Sequence, residues 1–257
     1  LIMIAPTLPL GLEIKIQEKL VSRPYTDMTL RMLDAFGAGS KFNENIIYIS
    51  PQIINNQGLT IESDWSAASY YYSILALSDS GKISLKGLQK NSWQGDSILS
   101  EMMEIFGIKT QFIENGISIE KTGAPPRKFE ADFEDCPDLA QTIAVICGGL
   151  GIEAYFTGLS TLKIKETDRI AALQNELKKV GVTFEDMGND RYKLTGKATF
   201  EETPSFATYK DHRMAMAFAP LGLLHPIRIQ EPDVVVKSYG KFWEKGEAFV
   251  DVNQFKK

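Results

Sequence analysis

The greatest concentration of reactive side chains lies in seven consecutive residues, Lys163-Ile164-Lys165-Glu166-Thr167-Asp168-Arg169. Two lysines, two acids and an arginine stand together where the pattern predicts the start of a helix. A helix N-terminus already favours anions, because its first N–H groups are unpaired and its dipole is positive there. If the helix has begun by Lys165, then Lys165 and Arg169 stand at i and i+4 and face one ligand. Glu166 beside such cations is ionised, and becomes usable as an acid or base when a ligand's charge offsets them. The plain alternative is a solvated capping segment whose charges pair with one another.

Other charged positions fit the same chemistry. Asp211-His212-Arg213 heads an otherwise apolar helix, and the planar fork of arginine suits a carboxylate or a phosphate; a surface ion pair is the simpler account. His212 and His225 are the only histidines, and a lone histidine says little by itself. Asp138, after Cys136-Pro137, opens a helix at an acidic N-cap or first-turn position, and a cap explains it adequately. Lys237 ends the strand-like run Val234-Val235-Val236, 72 positions after Lys165. Ser22-Arg23-Pro24-Tyr25 occupies the corresponding turn further upstream.

These residues are carried by a repeat. An aspartate followed by a small-residue-rich apolar helix recurs at Asp64, Asp138 and Asp211, with spacings of 74 and 73. A second element, a polar turn with Asp and then an amphipathic helix closed by Gly, recurs from Asp27 to Gly37, Asp96 to Gly107 and Asp168 to Gly181. In its last copy Ile170, Leu173, Leu177 and Val180 fall on one face, and Gly181 is placed as a C-cap. Between the helices lie strand-like runs: Lys82-Ile83-Ser84-Leu85, Gly116-Ile117-Ser118-Ile119, and a third from Phe184 to Leu194. Strands and helices alternating at this period predict an α/β (α+β) architecture of similar units, with the polar helix starts gathered at one end. Leu1-Ile2-Met3-Ile4-Ala5-Pro6 resembles the end of the first helix type, which predicts a chain that begins inside a unit, its earlier half elsewhere.

Composition sets the outer bounds. The 257 residues suffice for a large core or for one domain plus part of another, and 44% hydrophobic with 24% charged residues is ordinary for a globular protein. No apolar run reaches the ~18 residues that span a bilayer. The opening segment has two prolines and no basic stretch, so it reads poorly as a signal peptide. A net charge of −5 argues against nucleic acid, and an anionic substrate would need a local basic cluster. Cys136 and Cys147 read as reduced structural thiols in a cytoplasmic protein.

Pro137-Asp138-Leu139-Ala140-Gln141-Thr142, Lys165-Glu166-Thr167-Asp168-Arg169 and Asp211-His212-Arg213-Met214-Ala215 resemble three signature blocks of the 5-enolpyruvylshikimate-3-phosphate synthases. Ser22-Arg23-Pro24-Tyr25, the residues from Asp64 to Tyr70, those from Asn91 to Asp96, and Lys237 agree with the family in order, so the resemblance covers essentially the whole chain. It implies the enolpyruvyl transferase fold, two domains of three βαβαββ units each with the active site in the cleft between them. Residues 1–62 would be the C-terminal part of the N-terminal, shikimate-3-phosphate-binding domain, and 63–257 most of the other. The implied reaction moves the enolpyruvyl group of phosphoenolpyruvate to the 5-hydroxyl of shikimate 3-phosphate by addition and elimination, in aromatic amino-acid biosynthesis.

By the same resemblance Arg169, Arg213 and Lys237 bind phosphoenolpyruvate, and Ser22, Tyr25, Asp138 and Lys165 contact shikimate 3-phosphate. Thr161 stands where many relatives carry an asparagine ligand for that substrate. Asp138 would be the base near the hydroxyl, and Glu166 would exchange the proton at C3. No cofactor and no metal are implied. The partners would be the two substrates and the missing N-terminal half of the same protein, in a cytoplasmic monomer whose C-terminal fragment alone is inactive. Two rivals differ in class. A UDP-N-acetylglucosamine enolpyruvyl transferase shares the fold, but the Lys-Glu-Thr-Asp-Arg and Asp-His-Arg-Met-Ala blocks favour the shikimate enzyme. A non-catalytic α/β repeat fragment has no need of Arg169, Arg213, Lys237 and Asp138 together.

Overall fold

A computed structural model of the chain describes residues 1–55 and 58–246. After a 3-10 turn at Ile2–Thr7 come β1 (Leu12–Lys15), α1 (Arg23–Ala35), β2 (Lys41–Asn43) and β3 (Ile46–Ile49). Then follow α2 (Trp65–Leu77), β4 (Lys82–Lys86), α3 (Leu99–Glu104), β5 (Ile108–Ile113) and β6 (Gly116–Lys121). The next stretch holds β7 (Lys128–Asp132), α4 (Ala140–Leu150), β8 (Glu153–Thr157), α5 (Arg169–Lys178), β9 (Thr183–Asp186) and β10 (Tyr192–Thr195). Last come β11 (Ser205–Phe206), α6 (His212–Phe218), β12 (Arg228–Ile229), α7 (Val236–Tyr239) and α8 (Phe242–Gly246).

The repeat expected from the spacing is present in the topology. A strand, a helix and a hairpin follow one another three times, and each time the last strand pairs between the other two: β1-β3-β2, β4-β6-β5 and β8-β10-β9. All of these pairings are antiparallel. Ahead of the third copy, β7 runs parallel to β8 with α4 as the crossover, so residues 128–195 form one full βαβαββ unit. The parallel pair β11 and β12, joined through α6, has the form of the opening of another unit.

Helices of the first type pack on one another. Every residue from Ala140 to Gly149 in α4 is buried, as expected of a helix that is apolar all round, and it packs against both α2 and α6. Ser69 and Thr142, at related positions of α2 and α4, join their hydroxyls there at 3.1 Å. The amphipathic α5 lies differently. Its predicted face of Ile170, Leu173, Leu177 and Val180 is buried against the sheet side. The helix closes where Gly181, at φ 77°, donates to the Lys178 carbonyl and Val182 to that of Leu177, both at 3.1 Å. A smaller core of Ala5, Leu30, Leu33, Ala38, Ile47 and Ile49 is separate from the large one, which begins at Trp65.

Two strand readings change. The run from Phe184 to Leu194 is not one strand but the hairpin β9–β10, turned at Gly188, Asn189 and Asp190, all with positive φ. Lys237 does not end a strand. Pro232, after the left-handed Glu231, starts a 3-10 turn that runs into α7, and of the three valines only Val235 is fully buried, while Val236 is 64% exposed. Proline at the first helical position favours this outcome over the β-propensity of the valines.

The small and large cores meet where α1 approaches the Gln94-Gly95-Asp96 turn. A Cβ on Gly95 would lie 2.6 Å from the Asp135 carbonyl oxygen and 2.7 Å from Pro24 Cβ, so only glycine permits this approach. Gly95→Ala should therefore push α1 off the turn and lower stability by about 1–3 kcal/mol, read as a lower urea midpoint. Gly58→Ala, whose added carbon meets no described atom within 4 Å, should leave the midpoint unchanged.

Candidate functional site

Helix starts bring the charged residues to one place, and the three repeated aspartates divide their work there. Asp64 and Asp211 are N-caps, each accepting from the backbone N–H two residues on, of Ser66 and of Arg213, at 2.8 Å. Asp138 caps nothing. It sits in the 3-10 turn Pro137–Leu139 that leads into α4, and its carboxylate is left for side chains. Proline at the first position of that turn moves the cap to Cys136.

Arg169, the first residue of α5, is 1% exposed and organises the cluster. Its Nε donates to Asp211 Oδ2 at 2.7 Å, its Nη1 to Asp138 Oδ1 at 2.9 Å and its Nη2 to Glu166 Oε2 at 2.8 Å. Arg213 Nη2 donates to the other Asp138 oxygen at 2.9 Å, and Tyr25 Oη to that oxygen at 3.2 Å. Lys165 Nζ lies 3.7 Å from Asp138 Oδ1, and Lys237 Nζ 3.0 Å from Glu166 Oε1. Four cations thus face Asp138, Glu166 and Asp211, one positive charge in excess among these seven groups, with Asp64 and Asp96 also close to Arg213. A cavity of about 480 Å3 opens beside them between α1 and the large core, lined in part by Tyr25, Ser66, Asp96, Asp138 and Arg213.

These contacts set the ionisation. Burial would raise the Asp138 carboxyl, but Arg213, Lys165 and Arg169 outweigh it and hold it below the ordinary aspartate range. Burial also acts on Glu166, yet a backbone hydrogen bond, Lys237 and Arg169 bring it down to about 2. Arg213 is held charged: burial opposes the cation, and Tyr70, Asp138 and Asp96 overcome that. His212 is lowered by burial and by Arg213, against the pull of Asp211. In this state both carboxylates are weak bases, because cations occupy them.

Asp138, Lys165, Glu166, Arg169, Arg213, Lys237 and Tyr25 are brought together. Ser22 and Thr161 are not seen to join them. Ser22 is the left-handed residue before α1, and its hydroxyl bonds to no described residue. Thr161 lies in the 3-10 turn Ser160–Ile164, its Oγ1 buried without a described partner. The i, i+4 reading of Lys165 and Arg169 fails, because Lys165 is extended and α5 begins only at Arg169, capped by Asp168. Their meeting point is Asp138, from another element. Sequence reading passed over Asp211 as the partner of Arg169, and over Ser66 and Asp96; each heads or follows a repeat, but burial was the missing signal. Among the described residues no group of three or more His, Cys, Asp and Glu is arranged to hold a metal, and both cysteines are free and buried.

Replacing Arg169 by Met should destabilise the fold by about 3–5 kcal/mol at neutral pH, because it strands buried carboxylates; urea denaturation measures it. Stability should also fall on acidification. Glu166 ionises in the folded chain near pH 2, below its ordinary value of 4.5, so its contribution is complete above about pH 4.5 and is lost towards pH 2. Asp138, depressed likewise, acts in the same direction. Asp138→Asn should flatten that acid limb, as followed by urea midpoints across the range.

A sequence profile of the EPSP synthase (3-phosphoshikimate 1-carboxyvinyltransferase) family matches residues 1–245. A 3-phosphoshikimate 1-carboxyvinyltransferase of Bacteroides fragilis (strain ATCC 25285) is 44% identical over 247 residues, covering 95% of this chain and 60% of that protein. The protein of that name from Haemophilus ducreyi is 31% identical over 252 residues, covering 96% and 57%. The chain therefore spans about 60% of the length of these relatives. Among solved structures, an EPSP synthase from Acinetobacter baumannii superposes with a TM-score of 0.71 at 22% identity, covering 93% of this chain and 56% of that one. The enolpyruvyl transferase NikO from Streptomyces tendae gives 0.70 at 12% identity, covering 96% and 57%. These two likenesses speak for the fold, and it is the expected enolpyruvyl transferase fold. With the profile spanning nearly the whole chain, the chain belongs to the EPSP synthase family.

Proposed function

We propose that the chain contributes one wall of an active site that transfers the enolpyruvyl group of phosphoenolpyruvate to the 5-hydroxyl of shikimate 3-phosphate, releasing phosphate. One observation carries this reading: Lys165, Arg169, Arg213 and Lys237 converge on two carboxylates, Asp138 and Glu166, at the edge of a cavity. Such a surplus of cations suits a small ligand with both carboxylate and phosphate. Exposure grades the ligand contacts. Lys237 is 64% exposed and free to turn to an anion, Arg213 is 14% exposed, and Arg169 meets ligand only through its Nη atoms once Glu166 or Asp138 turns away.

The same geometry gives the carboxylates a switchable basicity. An anion that draws Arg213 and Lys237 towards itself removes part of the charge that depresses Asp138 and Glu166, with Lys165 and Arg169 still in place. Asp138 then gains the capacity to accept the proton of the attacking hydroxyl, and Glu166 to exchange a proton with the carbon that becomes a methyl group. The cations left on the transferring group stabilise its developing charge. Ser22, Tyr25, Thr161 and Lys165 belong in this reading to the shikimate 3-phosphate side, Tyr25 and Lys165 with the stronger support, since both reach Asp138.

The separate cores support assigning residues 1–62 to one domain and those from 63 onward to the other; residues 247–257 of that second domain lie outside the described residues. No described helix is long and apolar enough to cross a membrane. A cytoplasmic monomer and a role in aromatic amino-acid biosynthesis go with the proposal. Acceptor choice tests it: the protein should turn over shikimate 3-phosphate and leave UDP-N-acetylglucosamine unreacted, and the reverse preference would overturn it. Asp138→Asn and Glu166→Gln should each lower kcat by about 10²–10⁴-fold while leaving the urea midpoint above that of Arg169→Met. Turnover near that of the parent in both variants would remove the acid–base roles.

A further inference from the structure

Behind Arg213, on the wall of the same cavity, lies a carboxylate that the proposed reaction does not use. Asp96 is 2% exposed, in the 3-10 turn Gly95–Ile98. Burying a carboxylate is unfavourable unless it is paired, yet Asp96 is neither a cap nor half of an ion pair. Its Oδ2 accepts a short hydrogen bond from Ser66 Oγ, and its Oδ1 is buried with no partner among the described residues. Ser66 in turn stands 3.5 Å from Arg213 Nη2, the nitrogen that holds Asp138. The hydrogen-bonded path from Asp96 to the cluster is therefore a single hydroxyl, beside a direct charge effect on Arg213.

A serine hydroxyl has one proton to direct. When Asp96 is ionised, that proton points at Asp96, and the oxygen lone pairs face the guanidinium of Arg213. When Asp96 is neutral, its own proton can go to Ser66 Oγ, and the serine proton turns to the cavity side. We propose that Asp96 is a positioning residue for Arg213, acting through Ser66: ionised, it keeps the guanidinium against Ser66 and Asp138, and neutral, it releases it to an anionic ligand in the cavity. This rests on the reading of the cavity as a site for a carboxylate- and phosphate-bearing substrate.

The surroundings of Asp96 suit such a change. Burial pushes its carboxyl up to about 6, with Asp138 and Asp64 adding to the rise and the Ser66 hydrogen bond and Arg213 opposing it. Tyr25 from α1 and Cys136 before α4 also face it, and both are neutral, their own ionisation pushed up by burial. An anion seated at Arg213 brings further negative charge towards Asp96 and favours its protonated form. Binding would then take up a proton.

The test needs no substrate in its first arm. In the 257-residue chain labelled with ¹⁵N-arginine, the guanidinium signal of Arg213 is assigned by its loss in Arg213→Lys and followed from roughly pH 5 to 8. It should titrate with a midpoint near 6, remain flat in Asp96→Asn, and move by less than about half as much in Ser66→Ala. A titration that persists in Asp96→Asn, or a flat signal in the parent chain, overturns the proposal. In turnover assays, KM for phosphoenolpyruvate relative to that of Asp96→Asn should rise about fivefold from pH 5.5 to 7.5, with kcat changing less than about twofold. A constant ratio also overturns it. Absence of turnover in the parent protein would sink the enzymatic reading, and the arginine titration would still decide the role of Asp96.

Discussion

A single guanidinium, that of Arg169, ties three helix starts together. Its partners come from three places: Asp211 at the start of α6, Asp138 in the turn before α4, and Glu166 just ahead of α5. Arg169 and Asp211 are almost wholly removed from solvent. A buried charge is tolerable only when paired and hydrogen-bonded, so Arg169 and Asp211 are fixed on each other, while the more exposed Asp138 and Glu166 keep some freedom to turn. The five-donor fork of arginine fixes the angles between its acceptors, which a lysine would leave free. The rim of charged residues is thereby held as one unit on rigid helix ends.

That rim exists because the aspartates of the repeated units make different contacts. In two copies the lead aspartate satisfies backbone N–H groups, the ordinary use of an acid at a helix start. In the copy led by Asp138, a proline-initiated turn takes over the start of the helix, and the carboxylate is left for cations. The second helix type shows a similar divergence: Asp168 caps α5, Asp27 pairs with Arg23, and Asp96 is buried against Ser66. The same position in the repeat thus serves a backbone cap in one unit and a cation cluster in another.

The small core contributes through contact. Tyr25 of α1 reaches Asp138, Lys19 pairs with Glu134, and the close approach at Gly95 holds α1 beside the turn that carries Asp96. The cavity lies along this contact, with Tyr25 and Asp138 both in its wall. Charges on the large core and the Tyr25 hydroxyl brought by α1 form one electrostatic unit, in which Tyr25 is held neutral by burial and by the neighbouring Asp96 and Asp138.

The sequence by itself determined the period of the units, the helices that carry Asp64, Asp138, Asp168 and Asp211, the buried face of α5, its glycine stop, and the family. These follow from local rules, such as periodicity, capping preference and the conformational freedom of glycine, which act over a few residues. It also named seven of the residues that gather in the cluster. What only the tertiary structure decided is how they pair. Arg169 could be read as a ligand contact but not as a buried hub, because burial depends on what packs over a helix start from positions 31 and 42 residues away. Lys165 and Arg169 meet through Asp138 and not through a shared helix face, since Asp168 delays the helix. Lys237 lies on a short helix because a proline outweighs three valines. Asp96 and Ser66, 30 residues apart, became one hydrogen-bonded pair only when α2 and the Gly95 turn came together.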